Sequence, residues 1–454
     1  MKPNKIVQTV VFLFFTGLYS CATGPQFSYT NAANINNFPV YPDTSFAVIT
    51  DLHMHTASLG KTGPDFTGEL KSGKKMLHLA EEIAEALADT LAADNSISFV
   101  LVCGDLTRDG EKENHLAMQK VLAKIKAAGK QVFVVPGNHD INNFDARRFT
   151  QKGSEQVTSI SAAEFEDIYN DFGFSQAIAR DPASLSYIVE PVPGLWLFAL
   201  DACTYTKNKQ GSPNSTFGEF TPETLDWIEQ QLIEAQKLNK AVLGMMHHGI
   251  LEHFETQKKY FRDFVVNDYQ PVSKMFAHYG MKLVFTGHFH ALDITKQTWR
   301  DTTFLYDIET SSMVTFPAMY RQVRVLNNSV QIQSLSLEAL PSIPDFPAYA
   351  KKHLSDGVTS FLQSTLSRYD FEQKDYEILI PQMVAGMVAH TAGDEMPPPV
   401  LLNSDGLSFK AGLVICFAQD LIKGVWHDLP PADKKIVIEL STGTWKNISG
   451  DGRQ

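Results

Sequence analysis

The segment Val132-Phe133-Val134-Val135-Pro136-Gly137-Asn138-His139-Asp140 joins a short apolar run to a group of polar residues. A β-branched run that ends in Pro-Gly predicts a buried strand followed by a turn. The side chains of Asn138, His139 and Asp140 are then presented together at a strand end, where α/β proteins usually carry their chemistry. A capped turn before a helix would show the same residues, so the motif needs support from the rest of the chain.

Four other apolar runs lead to Asp or His in the same way. The runs 45–50, 97–103, 241–246 and 282–286 lead to Asp51 and His53, to Asp105, to His247, and to His288 and His290, respectively. In an extended segment residues i and i+2 point the same way, so Asp51 and His53 are expected to share one face. Gly104 allows a sharp turn before Asp105, so the Asp105 carboxylate can lie in the open at the strand end. Asp105 is therefore the natural candidate for a ligand that bridges two metal ions. Packing alone does not explain so many Asp and His residues at strand ends.

Helical patterns separate these strands. Residues 75–93 and 116–128 carry apolar side chains at helical spacing, and residues 221–223, Thr-Pro-Glu, have the N-cap, the first-position Pro and the acidic first turn that open a helix. Strand, turn and helix therefore alternate, as in a layered α/β domain. The segment 141–187 lacks such a pattern and is expected to be irregular.

The sequence changes character after the last of these motifs. The runs 321–326 and 330–335 alternate around Asn327-Asn328, which predicts a hairpin in the second sheet of a two-sheet sandwich. From residue 341 to residue 454 we expect a small helical region. Helices are predicted over 349–366 and 412–426, on either side of three consecutive prolines.

The N-terminus predicts export. Residues 1–5 form a short basic region and residues 6–18 an apolar stretch that is too short to span a membrane as a mature helix. Leu18-Tyr19-Ser20-Cys21 resembles a bacterial lipobox, which implies a signal peptide over 1–21 and a membrane anchor through a lipid on Cys21. An ordinary cleaved signal is the alternative. Residues 22–41 are rich in Asn, Pro, Thr and Ser, as expected of a tether, and the protein is expected in the cell envelope.

Charge and cysteine content exclude some classes of function. The formal net charge is −12 and there is no sustained Lys/Arg block, so no nucleic-acid partner is expected. Cys103, Cys203 and Cys416 have no CxxC spacing and indicate neither a zinc site nor a disulfide framework. The sequence leaves open a single bridge between Cys103 and Cys203.

Taken together, the motifs resemble those of the calcineurin-like metallophosphoesterases. The family blocks D-x-H, G-D, G-N-H-[DE], H and G-H-x-H all occur here, in family order, between residues 46 and 290. The resemblance implies a catalytic domain over 42–340 with a four-layer α/β/β/α sandwich. The block that begins at Gly104 looks closest to the class III cyclic-nucleotide and glycerophosphodiester phosphodiesterases. Arg108 stands where purple acid phosphatases carry a Tyr.

The resemblance also implies roles for single residues. One metal would be held by Asp51, His53, Asp105 and His290, and the other by Asp105, Asn138, His247 and His288, with Asp105 bridging. His139 would contact the phosphoryl group and assist the leaving group, oriented by Asp140. The remaining histidines His55, His248 and His253 are expected to be structural or to support the ligands.

The implied activity is hydrolysis of a phosphodiester or phosphomonoester by attack of a metal-activated hydroxide. Mixed Asp, Asn and His ligands suit two divalent or trivalent ions such as Mn, Fe, Zn or Co. Two alternatives stay open. The protein could be a pyrophosphatase or phosphomonoesterase that acts on nucleotides or lipid head groups, or an anchored binding protein that has lost turnover.

Overall fold

The computed structural model describes residues 27–30, 39–393 and 395–448. The predicted signal peptide, Cys21 and much of the predicted tether lie outside these residues. Within the described part of the tether, Phe27 and Tyr29 pack against a hydrophobic core of the protein. Tyr41 is buried and donates a hydrogen bond to the carbonyl of Val242, 2.9 Å away. These residues therefore contact the folded body.

Two large mixed sheets form the centre of the fold. In chain order the strands are β1 (Thr44–Ile49), β2 (Phe99–Cys103), β3 (Gln131–Val135), β4 (Arg147–Thr150), β5 (Gly153–Gln156), β6 (Ala179–Arg180), β7 (Tyr187–Val192), β8 (Leu195–Leu200), β9 (Ala241–Met246), β10 (Leu283–Thr286), β11 (Asp293–Thr298), β12 (Phe304–Glu309), β13 (Met319–Leu326), β14 (Ser329–Ser336), β15 (Lys435–Glu439) and β16 (Thr444–Asn447). The first sheet has the order β16-β15-β14-β13-β1-β2-β3, and the second has the order β11-β12-β10-β9-β8-β7-β6. Strands β1, β2 and β3 are parallel, as are β8, β9, β10 and β12.

Helices lie on the outer faces of both sheets and in the C-terminal region. They are α1 (Pro64–Ser72), α2 (Ala80–Ala93), α3 (Lys112–Ala127), α4 (Ala162–Ile168), α5 (Pro222–Lys237), α6 (Gln257–Tyr260), α7 (Tyr269–His278), α8 (Phe346–Leu366), α9 (Gln373–Ala392), α10 (Phe409–Phe417) and α11 (Gln419–Val425). The predicted start of α5 is confirmed, because the Thr221 side chain accepts a hydrogen bond from the backbone N–H of Thr224. Among the described residues, no helix combines the length and hydropathy that a membrane span requires.

Successive side chains of a strand point to opposite faces of the sheet, so one strand can contribute to two different hydrophobic cores. In β8, Leu195, Leu197 and Ala199 belong to a hydrophobic cluster that fills the space between the sheets and continues to the helices α2 and α3 that cover the first sheet. Trp196 and Phe198, on the opposite face, pack with side chains of α5 and α7. A strand that is apolar on both faces must be covered on both. The layers are therefore helix, sheet, sheet and helix, which confirms the predicted α/β/β/α sandwich.

An aromatic cluster joins the two sheets. The ring of Phe46 in β1 stacks on Phe99 in β2, with 4.7 Å between centroids, and meets Phe285 of the second sheet edge to face at 5.4 Å. All three side chains are fully buried. Such pairs add to the burial of apolar surface and fix the relative position of the strands. Because β1, β2 and β10 each precede predicted site residues, this packing also fixes the distances within the site.

The segment 141–187 is more ordered than its sequence predicts. It contains the β4–β5 hairpin, helix α4 and strand β6. The hairpin is short and largely exposed, so it has little of the apolar alternation that marks a strand. Helix α4 does carry a sequence signal, a capping box in which Ser161 and Glu164 cap each other's backbone N–H groups.

The C-terminal region contributes strands as well as helices. Strands β15 and β16 extend the first sheet beyond β14, and Ile436 and Ile438 enter the core between the sheets. The predicted helix over 412–426 is divided at Ala418 into α10 and α11, and helix α9 was missed. Helix α9 contains Pro381 and has no clear apolar stripe, which explains why periodicity did not reveal it. The predicted C-terminal helices are therefore present, and the region also contributes two strands that the sequence did not predict.

Candidate metal centre

The predicted site residues lie in the turns that follow strands β1, β2, β3, β9 and β10. Five of them adopt left-handed backbone conformations: φ is 52° at Asp51, 41° at His53, 49° at Asp105, 76° at His288 and 68° at His290. A non-glycine residue pays about 1–3 kcal/mol for such a conformation. Strain of this kind clusters at functional sites, where the surrounding structure imposes it. It also shows that Asp51 and His53 converge through a turn and not, as predicted, through strand alternation.

Two glycines of the motifs are required by close packing. Gly104 has a φ of 90°, and a Cβ built there would lie 2.6 Å from Nδ1 of His247. A Cβ at Gly137 would lie 2.1 Å from Oδ1 of Asp105. Both distances are far below van der Waals contact, so these positions keep the neighbouring side chains in place.

The first group of candidate ligands contains Asp51, His53, Asp105 and His290. Nε2 of His53 lies 3.1 Å from Nε2 of His290 and 3.5 Å from Oδ2 of Asp105. Oδ2 of Asp51 accepts hydrogen bonds from the Thr50 hydroxyl (2.7 Å) and the His288 N–H (3.0 Å). Oδ1 of Asp51 is buried without a hydrogen bond and lies 3.0 Å from Nε2 of His290. The nitrogen and oxygen lone pairs of the four side chains in this group therefore converge on one point.

The second group contains Asp105, His247 and His288. Nε2 of His247 lies 3.4 Å from Oδ1 of Asp105 and 3.1 Å from Oδ1 of Asn138, so Asn138 belongs to the same group. Nδ1 of His247 donates to the carbonyl of Cys103 (2.8 Å), which leaves Nε2 free for a cation. In His288 it is Nδ1 that is free, because Nε2 lies 3.1 Å from the carbonyl of Asp263. The two oxygens of Asp105 face different groups, as a bridging carboxylate requires.

The residues fit a pair of transition-metal ions. The donors are carboxylate, amide and imidazole groups, the set that suits Mn, Fe, Zn or Co. Burial lowers the pKa of His53, His288 and His290, which keeps these imidazoles neutral and able to ligate. Burial would raise the pKa of Asp105, but the surrounding His247, His139 and His53 lower it well below its usual range. Asp105 is therefore ionised, and the orphaned oxygen of Asp51 adds a second buried negative donor.

His139 lies beside the two groups and is held by an acid other than the predicted one. Its Nδ1 donates to Oδ1 of Asp109 (2.8 Å), and its Nε2 lies 3.9 Å from Oδ2 of Asp105. Asn143 donates from its amide to the same oxygen of Asp109 (3.3 Å) and to the carbonyl of His139 (3.1 Å). Burial and the charge of Lys75 oppose protonation, but Asp105 and Asp109 raise the pKa of His139. A histidine in this state can donate a proton.

The prediction that Asp140 orients His139 is wrong. Oδ1 of Asp140 accepts from the N–H and the hydroxyl of Thr107 (2.9 and 2.8 Å), and Oδ2 accepts from the N–H groups of Leu106 (3.1 Å) and Gly137 (2.8 Å). Burial, together with the charge of Asp105, raises the pKa of Asp140 to about 7. The carboxyl group of Asp140 thus ties the turn after β2 to the turn after β3. It supports the site through the backbone, because its carboxylate oxygens accept from Leu106, Thr107 and Gly137 while the His139 ring donates to Asp109.

The other histidines named from the sequence stay outside the two groups. His55 donates to the carbonyl of Gly60 (2.8 Å), His248 to that of Thr216 (2.9 Å) and His253 to Asp293 (2.7 Å). Arg108 is ion-paired with Glu69, Asp109 and Glu111. Cys103, Cys203 and Cys416 are free thiols, so the bridge that the sequence left open is absent.

Sequence reasoning missed Asp109, Asn143 and Lys75 as residues of the site. Asp109 lies four residues after Asp105, but the path of the turn between them is not encoded in a short pattern. Lys75 comes from the segment between α1 and α2, where its Nζ lies 3.3 Å from Nδ1 of His53. No motif marks it.

A cavity of about 360 Å³ is lined in part by Asp109, the acid that holds His139. Its lining is mostly charged and consists of Asp65, Glu69, Arg108, Asp109, Asp145, Arg147, Phe149 and Ser154. Four of these side chains are acidic and two are basic. Helix α1 and the β4–β5 hairpin supply the outer wall, so the segment that was expected to be irregular lines the cavity.

These features define a metal-dependent phosphoester hydrolase. Residues 44–292 match the sequence model of a family described as calcineurin-like phosphoesterase, and the chain belongs to this family. The match covers the five motifs and both ligand groups. No curated protein is significantly similar in sequence.

Several solved structures match the chain at low identity and with TM-scores below 0.5. A dimetal phosphatase from Danio rerio is 13% identical, with a TM-score of 0.46, over 65% of this chain and 96% of that one. A 5′-nucleotidase precursor from Thermus thermophilus is 12% identical, with a TM-score of 0.37, over 72% of this chain and 59% of that one. A purple acid phosphatase from yellow lupin is 10% identical, with a TM-score of 0.40, over 65% of this chain and 52% of that one. The family assignment rests on the sequence match.

Proposed function

We propose that this protein hydrolyses a phosphodiester or phosphomonoester outside the cytoplasm, with two transition-metal ions bound at the two ligand groups. The observation that carries the proposal is the shared carboxylate. Asp105 presents one oxygen to each group, and His139 lies at the edge of both. Two ions, when bound, neutralise phosphoryl oxygens and lower the pKa of a water molecule. The first group would be Asp51, His53, Asp105 and His290; the second would be Asp105, Asn138, His247 and His288.

The protein's own residues supply the rest of the chemistry. His139 donates a proton from Nε2 to the oxygen of the departing alcohol, because Nδ1 is committed to Asp109 at 2.8 Å. Asp109 fixes the orientation of the ring and stabilises its protonated form. Asn143 donates to both Asp109 and the His139 carbonyl, which links the acid to the backbone of the residue that it orients. Asp140 keeps the turn that presents His139 in place through its four hydrogen bonds.

The cavity lined by Asp109, the acid that holds His139, indicates the kind of leaving group. A proton donor must face the departing oxygen, so the alcohol lies on the side of His139 and Asp109. The acidic excess of this cavity favours a neutral hydroxylated or cationic alcohol and disfavours a second phosphate. An ester of such an alcohol is therefore preferred to a pyrophosphate as substrate.

We also propose that the protein is a lipid-anchored component of the cell envelope. The support is the basic start of the chain, the apolar residues 6–18 and the Leu-Tyr-Ser-Cys sequence that ends at Cys21. The mass of the mature N-terminal peptide tests this. A diacylated or triacylated Cys21 is expected, whereas an unmodified residue at another position would refute the anchor.

The activity is tested with matched chromogenic substrates. The metal-stripped protein is supplied with Mn, Zn, Fe or Co singly, and hydrolysis of bis(4-nitrophenyl) phosphate and 4-nitrophenyl phosphate is followed. We expect metal-dependent turnover, and the ratio of the two rates distinguishes diesterase from monoesterase. Asn138→Ala and His139→Ala are expected to lose hydrolysis and to keep the fold. A folded, metal-loaded protein that turns over no phosphoester would favour the binding-protein alternative.

A further inference from the structure

Lys75 brings a cation into the site from outside all five motifs. Its Nζ lies 3.3 Å from Nδ1 of His53, the ring nitrogen opposite the one that faces Asp105. Burial lowers the pKa of Lys75, and the carboxylates of Asp105, Asp109 and Asp51 oppose that shift. The side chain is partly exposed, so it lies at the boundary between the buried ligands and solvent. This is the boundary at which a substrate must arrive.

The backbone around Lys75 is held by helix α8 of the C-terminal region and by the segment that follows β12. Its carbonyl lies 3.3 Å from Nε2 of His353 in α8, and the next N–H, that of Met76, donates to the carbonyl of Val314 (2.7 Å). Gly357 of α8 lies so close to the segment that a Cβ there would be 2.3 Å from the carbonyl of Gly73. Helix α8 therefore fixes the position from which Lys75 reaches the site, which gives this part of the C-terminal region a role in the site.

The contact between Lys75 and His53 does not suit the metal-loaded protein. A histidine that ligates through Nε2 keeps its proton on Nδ1 and can only donate there. An ammonium group is also only a donor, so the two groups have no hydrogen bond to make and repel each other. Lys75 must then find another acceptor. Asp109 already accepts from His139 and Asn143 and is ion-paired with Arg108.

We propose that the Lys75 ammonium binds a non-bridging oxygen of the substrate's phosphoryl group, and that helix α8 positions it for this contact. The proposal rests on the proposed phosphoester hydrolysis and names a further residue that binds the substrate. An ammonium group beside two ligand groups offers a third positive contact to a phosphoryl group. It also explains why a flexible, charged side chain is placed next to a metal ligand. The competing explanation is that Lys75 only balances the charge of the acidic ligands.

The test compares phosphate binding and kinetics in variants of the full-length, Mn²⁺-loaded protein. Lys75→Met removes the charge and keeps much of the length, Lys75→Arg restores the charge, and Lys74→Met is the matched control at an exposed neighbour. Inorganic phosphate is the probe in isothermal titration calorimetry, and metal content is measured on the same samples. Lys75→Met is expected to raise the phosphate Kd and lower kcat/KM about 10- to 100-fold. Lys75→Arg should recover most of both, and Lys74→Met should match the wild type.

Two results would overturn the proposal. The first is a Kd and a kcat/KM for Lys75→Met within twofold of the wild type. The second is a loss of bound Mn²⁺ that accounts for the loss of phosphate binding, which is the result that pure charge balance predicts. If Lys75→Met does not fold, Lys75→Gln is judged by the same criteria. Calorimetry needs no turnover, so a protein that hydrolyses no ester refutes the proposed function while the phosphate Kd values still decide the role of Lys75.

Discussion

Replacing Asp109 by Asn tests how the proton donor is held. The bond from Nδ1 of His139 to Oδ1 of Asp109 is 2.8 Å long, and the His139 side chain is only 29% exposed. A hydrogen bond to a charged group is worth about 1.5–3 kcal/mol. At about 1.4 kcal/mol for each factor of ten, Asp109→Asn should lower kcat roughly 10- to 100-fold. His139→Ala removes the donor itself and should cost about 100- to 10,000-fold.

The pH dependence has a definite sign. Asp105 and Asp109 raise the pKa of His139 against the effects of burial and Lys75. The reaction needs the protonated ring, so activity falls as pH rises through this pKa. Removing the Asp109 charge lowers the pKa of His139, and the alkaline limb of the kcat profile should move about one to two pH units toward acid, since one unit corresponds to about 1.4 kcal/mol.

Asp140→Asn is the matched control for this experiment. Asp140 makes its hydrogen bonds to Leu106, Thr107 and Gly137, so its substitution should lower the thermal stability and leave the alkaline limb in place. The assay is the pH profile of kcat with a chromogenic phosphoester at saturating metal. If Asp140→Asn moves the limb and Asp109→Asn does not, Asp140 is the orienting acid and our reasoning fails.

Three further predictions concern stability. Burial lowers the pKa of His115 to about 3, so the neutral form is favoured in the fold. The stability that His115 contributes should be complete above the unfolded pKa of about 6.5 and be lost as pH falls toward 3, with about 2–3 kcal/mol lost between pH 8 and pH 4.5. Chemical denaturation at the two pH values should show a smaller loss in His115→Gln, with the exposed His427→Gln as control, and equal losses would contradict the assignment. Gly104→Ala should destabilise the fold by at least about 1–3 kcal/mol and weaken metal binding, because the turn has a φ of 90° and His247 adjoins it. An unchanged melting temperature and metal content would show that the turn relaxes freely. Ile438→Ala in β15 should lower the free energy of unfolding, measured by calorimetry, by about 2–5 kcal/mol, since Ile438 is fully buried. A change below about 0.5 kcal/mol, the size of a surface effect, would mean that β15 is not part of the core.

The sequence predicts which residues come together, because the sheet topology brings them to one edge. Parallel strands of one sheet end at the same edge, so Asp51, Asp105 and Asn138 are brought together by the parallel pairing of β1, β2 and β3. His247 and His288 follow neighbouring strands of the second sheet in the same way. Each motif directly follows its strand in the sequence, so it can be recognised without knowledge of the tertiary fold. The shared position of Asp105 between the two groups follows from the same geometry.

Features that depend on the path of a turn or on distant packing were not predictable. His139 is followed directly by Asp140, but the ring turns toward Asp109, because the Asp140 carboxyl group is engaged by backbone N–H groups of two other turns. Lys75 lies in a segment that is held by α8, about 280 residues later in the chain, and by Val314. Strand β15 pairs with β14 across about 100 intervening residues, and a single short alternating run does not reveal its partner.

The most direct test of the central claim is the metal stoichiometry of activation. The metal-stripped, full-length protein is purified in detergent and titrated with Mn²⁺ while hydrolysis of a chromogenic phosphoester is measured. Two groups that share Asp105 predict that activity rises to a maximum at two equivalents of bound metal per chain, and that Asp105→Asn loses both bound metal and activity. Full activity in the stripped protein, or a maximum at one equivalent with Asp105→Asn unaffected, would contradict the account.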